Sequence, residues 1–426
     1  MYIWSCINSV TMVSVFSEDW QDLGMTPNIV TVCVIIIGCI IIRALHLASQ
    51  PSEPELYFRP SDFVEKILDL CPLLKNVYMP PLIWGRSGHL QTIVYGKLGR
   101  IQSPFPRGQR HKIIMRDGAT LTFDIFEPLK KHVTKGDYTM LVCPGIANSS
   151  ESVYIRTFVD YAQNAGYRVG VLNHLGAIQT IKLTSPRIFT YGGTDEYAAM
   201  VEEVHRLYPD SKFIAVGFSM GGNLAVKYLG EKSSNQKNFL CGLSICQGYD
   251  VERCQPYMLS WEHLRRGYIF AMTLHQKKML RTHADILFGS DSERLHGKFD
   301  TDRILAATSL VELDDLYSRK RAGFSSIEEY YRWCSCRSVM DKIKIPMFFL
   351  NSADDPLVPP ALHDMPHDFV TSHENCIFAV TKHGGHLGFF TGSGFTPEPV
   401  TWLDKVIVQY ADALIQVSNQ CQDKRN

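Results

Sequence analysis

The sequence predicts an α/β fold in which a mostly parallel, twisted sheet is flanked by helices. Short apolar runs typical of strands alternate with segments whose apolar residues recur at helical spacing, and this alternation indicates a parallel sheet. The chain has 426 residues, 45% of them hydrophobic, which is enough for one large core or two modest ones. Its 43 basic and 43 acidic residues are scattered along the chain, so nothing favours a nucleic-acid partner.

The N-terminal part of the chain predicts a membrane anchor. The uncharged run Ile29–Ile42 can be extended to residues 29–48 because the side chain of Arg43 can reach the membrane interface. Residues 1–28 contain no Lys or Arg, so the basic flank of a cleaved signal peptide is missing and the anchor is interpreted as uncleaved. A buried helix or hairpin strand is the alternative. Three prolines predict a stalk over residues 49–60.

The remainder of the chain predicts the sheet and its helices. The first two strands are predicted to form a hairpin, because two strand-like runs flank the turn at Asp117-Gly118. Helical spacing predicts helices over Tyr154–Ala165, ended by Gly166, and over Thr194–Leu207. The predicted strands lie within His111–Phe126 (two strands), Met140–Val142, Arg168–Leu172, Phe213–Val216, Leu240–Ile245, Pro346–Leu350 and Ile377–Val380.

Residues 250–343 interrupt the series of strands. This segment has amphipathic stretches such as Trp261–Leu274 and Ser325–Trp333 but no clear strand pattern, so we expect an inserted helical cap. The core is therefore predicted in two parts, residues 61–249 and 344–416, and a C-terminal tail is predicted over residues 417–426.

The segment Gly217-Phe218-Ser219-Met220-Gly221 has the pattern G-x-S-x-G. It follows the strand Phe213–Val216 and precedes a helical pattern, and this strand-turn-helix context presents a nucleophilic serine. The glycines are needed because the serine lies on a strained turn with no room for neighbouring side chains. A chance match in a tight turn is the alternative. We predict that Ser219 is a nucleophile.

A serine hydroxyl requires a histidine to take its proton and a carboxylate to orient that histidine. Asp355 follows a predicted strand at the carboxyl edge of the sheet, and Pro356 fixes the turn beyond it. Asp354 is the competing carboxylate. His386 lies on a glycine-flanked loop after the last predicted strand, and His383 is its rival. We predict that His386 takes the proton from Ser219 and that Asp355 orients His386.

The negatively charged intermediate of acyl transfer needs two backbone N–H donors. Met220 is predicted to supply one, because it follows the nucleophile. Ile146 is predicted to supply the other, since the loop Pro144–Asn148 follows a predicted strand and contains a glycine; an ordinary strand-to-helix turn is the alternative. Asn148 also begins a glycosylation sequon, but a glycan there would crowd the site. No metal-binding spacing or nucleotide-binding motif is found, so we expect no metal and no cofactor.

Five segments together resemble the AB hydrolase 4 family of the α/β-hydrolase superfamily. The likeness runs from about Leu56 to Ala413. It implies the α/β-hydrolase fold, a triad on Ser219, Asp355 and His386, and a lipase or esterase that cleaves monoacylglycerols and short-chain esters. The segments are Pro80–Thr92, Cys143–Asn148, Gly217–Gly222, Ala353–Val358 and His383–Phe390.

We therefore expect a membrane-anchored serine hydrolase of lipid esters, with no obligate protein partner. Basic residues follow the anchor, which favours a cytosolic catalytic domain, whereas the resemblance implies a single-pass type II protein of the plasma membrane or endomembranes. We adopt the type II orientation. Two alternatives use the same fold: an acyltransferase that delivers the acyl group to an alcohol, and a receptor that binds an apolar, sterol-type ligand.

Overall fold

The computed structural model describes residues 27–98, 104–290, 292–293 and 297–423. It divides the chain into two compact units, Met1–Ser49 and Gln50–Asn426. Most of the predicted tail over residues 1–28 lies outside the described residues.

The described part of the second unit contains one nine-stranded sheet with the order β1-β9-β8-β7-β6-β4-β5-β3-β2. Five of the eight strand pairings, from β5 through β4, β6, β7 and β8 to β9, are parallel, so the prediction of a mostly parallel sheet is confirmed. The strands are β1 (Glu55–Phe58), β2 (Gln109–Ile114), β3 (Thr120–Phe126), β4 (Tyr138–Cys143), β5 (Arg168–Asn173), β6 (Lys212–Phe218), β7 (Phe239–Ile245), β8 (Met347–Ser352) and β9 (Ile377–Thr381).

Helices connect and cover these strands, and between β7 and β8 the described residues are helical or irregular. Short 3-10 or π turns lie at Pro72–Leu74, Trp84–Arg86, Val94–Leu98, Ser233–Gln236, Glu262–Leu264, Asp314–Ser318 and Pro360–Leu362. The α-helices are α1 (Pro27–Ala44), α2 (Asp62–Leu70), α3 (Gly88–Ile93), α4 (Val153–Ala165), α5 (Asp195–Leu207), α6 (Met220–Glu231), α7 (Val251–Met258), α8 (Arg265–Thr282), α9 (Ala284–Phe288), α10 (Thr301–Ala306), α11 (Leu310–Leu313), α12 (Arg319–Arg321), α13 (Ile327–Cys334), α14 (Arg337–Met340), α15 (Asp364–Ser372) and α16 (Trp402–Asp423).

The two faces of the sheet carry separate hydrophobic cores. Side chains alternate between the faces of a strand, so in β4 Met140 and Val142 join one core while Leu141 and Cys143 join the other. Helices α2, α4 and α16 cover the first face, and α5, α6, α15 and cap helices cover the second. Because both faces are covered, the central strands are buried along their length, and their apolar runs were visible in the sequence.

The predicted stalk is wrong over part of its length. Residues 55–58 form β1, which pairs antiparallel with β9 at the edge of the sheet. The strand is held there by its side chains: Leu56 contacts the first core, and the ring of Tyr57 stacks on Phe378 with centroids 5.8 Å apart. The flanking prolines suggested a linker, but a short edge strand tolerates prolines beside it.

Two further boundaries differ from the prediction. Helix α16 runs through most of the predicted tail to Asp423, because apolar residues such as Val417 continue its buried face. In the cap, helix α8 begins at Arg265 rather than at Trp261, because His263 and Leu264 have positive φ angles of 50° and 52° that no α-helix accommodates.

The first unit contains α1, which ends at Ala44 and not at residue 48, since the chain turns where His46 has a φ of 54°. Apolar side chains of α1 are exposed, with Ile35 at 58% and Ile40 at 59% of their surface. In the part of the chain for which side chains are described, no helix combines the length and the apolar character needed to cross a membrane.

Candidate active site

Ser219 lies on the sharp turn between β6 and α6. Its φ of 55° and ψ of −122° are strained for a residue with a side chain, and its N–H donates to the Ile245 carbonyl oxygen at 2.8 Å. Both glycines of the motif are sterically required. A Cβ on Gly221 would overlap the carbonyl oxygen of Cys143, and one on Gly217 would overlap the first turn of α6. The turn therefore holds the serine hydroxyl out from the carboxyl edge of the sheet.

His386 lies between Ser219 and Asp355. Its Nε2 is 2.8 Å from Ser219 Oγ, and its Nδ1 is 2.8 Å from Asp355 Oδ2. An ionised carboxylate can only accept hydrogen bonds, so Nδ1 carries the ring proton and Nε2 is left to accept from the serine hydroxyl. The structure thus brings together three residues that lie up to 167 positions apart in the sequence.

Asp355 is buried, with 3% of its surface exposed, on the loop after β8. Its second oxygen, Oδ1, accepts from the backbone N–H groups of Leu357 at 2.7 Å and Val358 at 3.0 Å. These two donors fix the plane of the carboxylate. Burial, with the charge of Asp355 adding to it, raises the pKa of the nearby Tyr268 phenol to about 12.

The two rival residues support the same loops. Asp354 Oδ1 accepts from the Gly385 N–H at 2.8 Å, directly before His386. His383 Nε2 lies 3.2 Å from the carbonyl oxygen of Gln50, and its Nδ1 is 3.6 Å from Asp354 Oδ2, beyond hydrogen-bonding distance. The structure therefore directs Asp355 and His386 towards Ser219 and uses their rivals to brace the backbone.

Thr92 was not identified from the sequence. Its Oγ1 accepts from the His386 N–H at 2.9 Å and donates to the Gly88 carbonyl oxygen at 2.7 Å, so helix α3 holds the histidine loop. Thr92 lies in a segment that carried the family resemblance, but no local pattern predicts a contact with a residue 294 positions away.

The two predicted N–H donors lie on either side of Ser219. Met220 is the first residue of α6, so its N–H has no acceptor within the helix. On the opposite loop, a Cβ on Gly145 would lie 3.4 Å from that of Ser219, and Ile146 follows Gly145 directly. The Gly145 N–H donates to Tyr154 Oη at 2.9 Å, and Asn148 Nδ2 donates to the Ile146 carbonyl oxygen at 2.7 Å. These two hydrogen bonds therefore hold the loop Gly145–Asn148 in its conformation.

His174 is a second residue that the sequence did not reveal. It lies just after β5, and its Nε2 is 2.9 Å from the Pro144 carbonyl oxygen, which leaves Nε2–H as the donor. Burial lowers the pKa of His174 to about 4, so the ring is neutral near pH 7 and acts as a fixed hydrogen-bond donor beneath the loop that carries Ile146.

Ser219 and His386 open into a cavity of about 760 Å³. Its walls come from the loop Gly145–Asn148, from α3 and the residues after it, and from cap helix α8. Apolar side chains form much of its surface, including Ile93, Leu264, Met272, Leu357 and Leu387. Asn148 also lines the cavity and uses its amide within the loop, so a glycan at that position would enter the cavity.

The fold and this arrangement of side chains define an α/β-hydrolase. A family model described as the alpha/beta hydrolase fold matches residues 138–393, more than half of the chain. The chain belongs to the α/β-hydrolase family, and the resemblance noted from its motifs is confirmed at this level.

Individual relatives narrow the family. Over 389 residues the chain is 50% identical to "Monoacylglycerol lipase ABHD2" of Mus musculus and 49% identical to the human protein of that name, covering 90% of this chain and 92% of each relative. It is 42% identical to "Abhydrolase domain-containing protein 2" of Drosophila melanogaster over 90% of this chain and 96% of that one. Among solved structures, a Pyrococcus furiosus esterase has 16% identity and a TM-score of 0.43 over 67% of this chain and 87% of its own.

Proposed function

We propose that this chain hydrolyses the ester bond of monoacylglycerols by a Ser-His-Asp mechanism. At the level of class, it is a carboxylic ester hydrolase, as the sequence predicts. The observation that carries the proposal is the pair of 2.8 Å contacts that join Ser219 to His386 and His386 to Asp355 at the wall of one apolar cavity.

In this mechanism Ser219 Oγ attacks the acyl carbonyl carbon and its proton passes to His386 Nε2. Asp355 stabilises the charged ring and keeps Nδ1 protonated. The N–H groups of Ile146 and Met220 donate to the oxygen that becomes negative in the tetrahedral intermediate. Collapse of the intermediate expels glycerol, which takes the proton from His386, and leaves an acyl-serine. Water then repeats the sequence and releases the fatty acid.

The substrate is proposed from the cavity and from the relatives. Apolar walls favour a long acyl chain over a polar one, since each buried CH₂ group contributes about 0.8 kcal/mol. The names of the relatives point to monoacylglycerol rather than to a fully substituted glyceride.

A panel of lipid esters compared between the wild type and Ser219→Ala tests the proposal. We expect release of fatty acid from monoacylglycerol by the wild type, with a loss of at least about 10³-fold in the variant. Fluorophosphonate should label only the wild type. Added alcohol distinguishes a transferase: more transferred ester than free fatty acid would contradict hydrolysis. Lipid binding without any labelling would indicate a receptor instead.

We also propose that the chain is anchored in a membrane near its N terminus, once and in the type II orientation. The support is the uncharged run Ile29–Ile42, whose apolar side chains on α1 are exposed. Alkaline carbonate should leave the full chain with the membrane but release a chain that begins at Gln50. Protease added to sealed microsomes should spare the hydrolase unit. Release of the full chain would contradict the anchor, and digestion of the unit would contradict the orientation.

A further inference from the structure

Gln276 is an unusual residue in the cavity wall. It lies on cap helix α8, lines the cavity that contains Ser219, and has only 2% of its surface exposed. Its Oε1 atom is buried and has no hydrogen-bond partner among the described residues. A buried polar atom that lacks a partner is destabilising, so such atoms in native proteins are usually paired with water or a ligand.

The neighbouring polar side chains do not share this property. His275, the preceding residue of α8, is exposed and can bind water. Apart from Ser219 and His386, the others that line the cavity already have protein contacts; they are Thr92, Tyr95, Asn148, Ser152, Tyr154 and Tyr268. Among the described residues of this wall, Gln276 Oε1 is therefore the buried polar atom whose hydrogen-bonding capacity is left for a ligand.

A hydroxyl group fits this carboxamide in either orientation of the amide. The amide has an acceptor at one end and donors at the other, and a hydroxyl both donates and accepts. An acyl chain offers neither. Of the two parts of a monoacylglycerol, only the glycerol carries free hydroxyl groups.

We propose that Gln276 binds a glycerol hydroxyl of the substrate and so selects esters of hydroxylated alcohols; this inference rests on the proposed function. The cavity runs along α8 from Leu264, which is 60% exposed, past Gly267 to the buried Gln276, about 14 Å beyond Gly267 along the helix axis. The glycerol lies at the Gln276 end, and the acyl chain extends towards the apolar mouth at Leu264.

The test compares two esters of the same fatty acid, 1-monooleoylglycerol and propyl oleate, which differ only in the two hydroxyls. Gln276→Met keeps the length of the side chain and removes its polar group. We expect kcat/KM for monooleoylglycerol to fall about tenfold, while that for propyl oleate stays unchanged or rises. Lys278→Met, on the exposed side of the same helix, is the matched control and should change neither.

Other results would overturn the inference. Equal losses on both esters would mean that Gln276 only supports the cap, and no loss on either would mean that it contacts no substrate hydroxyl. Gln276→Asn, which withdraws the amide by one methylene, should lie between the wild type and Gln276→Met in the ratio of the two rates. A wild-type enzyme that cleaves propyl oleate but not monooleoylglycerol would instead contradict the proposed function itself.

Discussion

Asp354 and Asp355 are adjacent in the chain, yet their carboxylates have different tasks. Asp355 faces the ring of His386, whereas Asp354 holds the N–H of Gly385. The sequence favoured Asp355 because Pro356 restricts the turn after it, but that preference depended on a local rule that applies to many loops. Substitution separates the two roles directly.

For Asp355→Asn we expect kcat to fall roughly 10³–10⁴-fold with the fold intact. The amide would present an N–H to Nδ1 of His386 and favour the tautomer whose Nε2 carries the proton and cannot accept one from Ser219. Asp354→Asn should reduce kcat less than about tenfold, because it alters only a backbone brace. Ester hydrolysis and circular dichroism measure both effects, and equal losses of kcat would contradict the assignment.

Thr92 connects helix α3 to the backbone of His386 through a single hydroxyl. Thr92→Val keeps the shape and leaves the buried His386 N–H without an acceptor, which costs about 1–3 kcal/mol. We expect a comparable drop in the free energy of unfolding and a fall in kcat of about tenfold. Thr92→Ser, which keeps the hydroxyl, should restore most of both. Similar activity in the Val and Ser variants would show that the hydroxyl does not position His386.

His174 gives a prediction about pH. Its folded pKa of about 4 lies below the ordinary value near 6.5, so the unfolded chain binds the extra proton between these values. The contribution of the neutral His174 ring to the free energy of unfolding is complete above pH 6.5 and is lost as the pH falls towards 4. Relative to His174→Gln, the wild type should lose about 3 kcal/mol of unfolding free energy over this window. Urea unfolding at several pH values measures it, and parallel pH profiles would contradict the buried neutral ring.

At the scale of elements, strand β1 is the clearest difference between sequence and structure. The central strands were predictable because both faces of the sheet bury them, which requires continuous apolar runs such as Met140–Val142. Glu55–Phe58 has only four residues, lies at an edge and stands among prolines, so no run of that length distinguishes a strand from a linker. Whether this segment pairs with β9 depends on residues that lie far from it in the sequence.

Removal of β1 should therefore matter more than removal of the first unit. A chain that begins at Gln50 should unfold at the same temperature as the full chain. For a chain that begins at Ser61, we expect the free energy of unfolding to fall by about 2–4 kcal/mol, because the burial of Leu56 and Phe58 is lost. The shorter chain also exposes the edge of β9, which promotes aggregation. Thermal unfolding and light scattering test this. Equal midpoints for the two shortened chains would show that β1 contributes nothing.

On the scale of the whole molecule, the sequence was most informative where chemistry depends on the order of strands. Ser219, Asp355 and His386 each follow a strand, and parallel strands bring such positions to one edge. The contacts of Thr92 and His174, and the burial of Gln276 in the cavity wall, depend on packing across the fold, and no local pattern encodes that.

Two separate parts of the chain form the cavity. The proposed reacting groups lie on loops that follow strands of the sheet, while α8, which forms a wall of the cavity, belongs to the insertion between β7 and β8. We therefore expect that exchanging this insertion would change the preference for alcohol or acyl length, provided that the new segment keeps the contact between Arg265 and the Pro356 carbonyl oxygen.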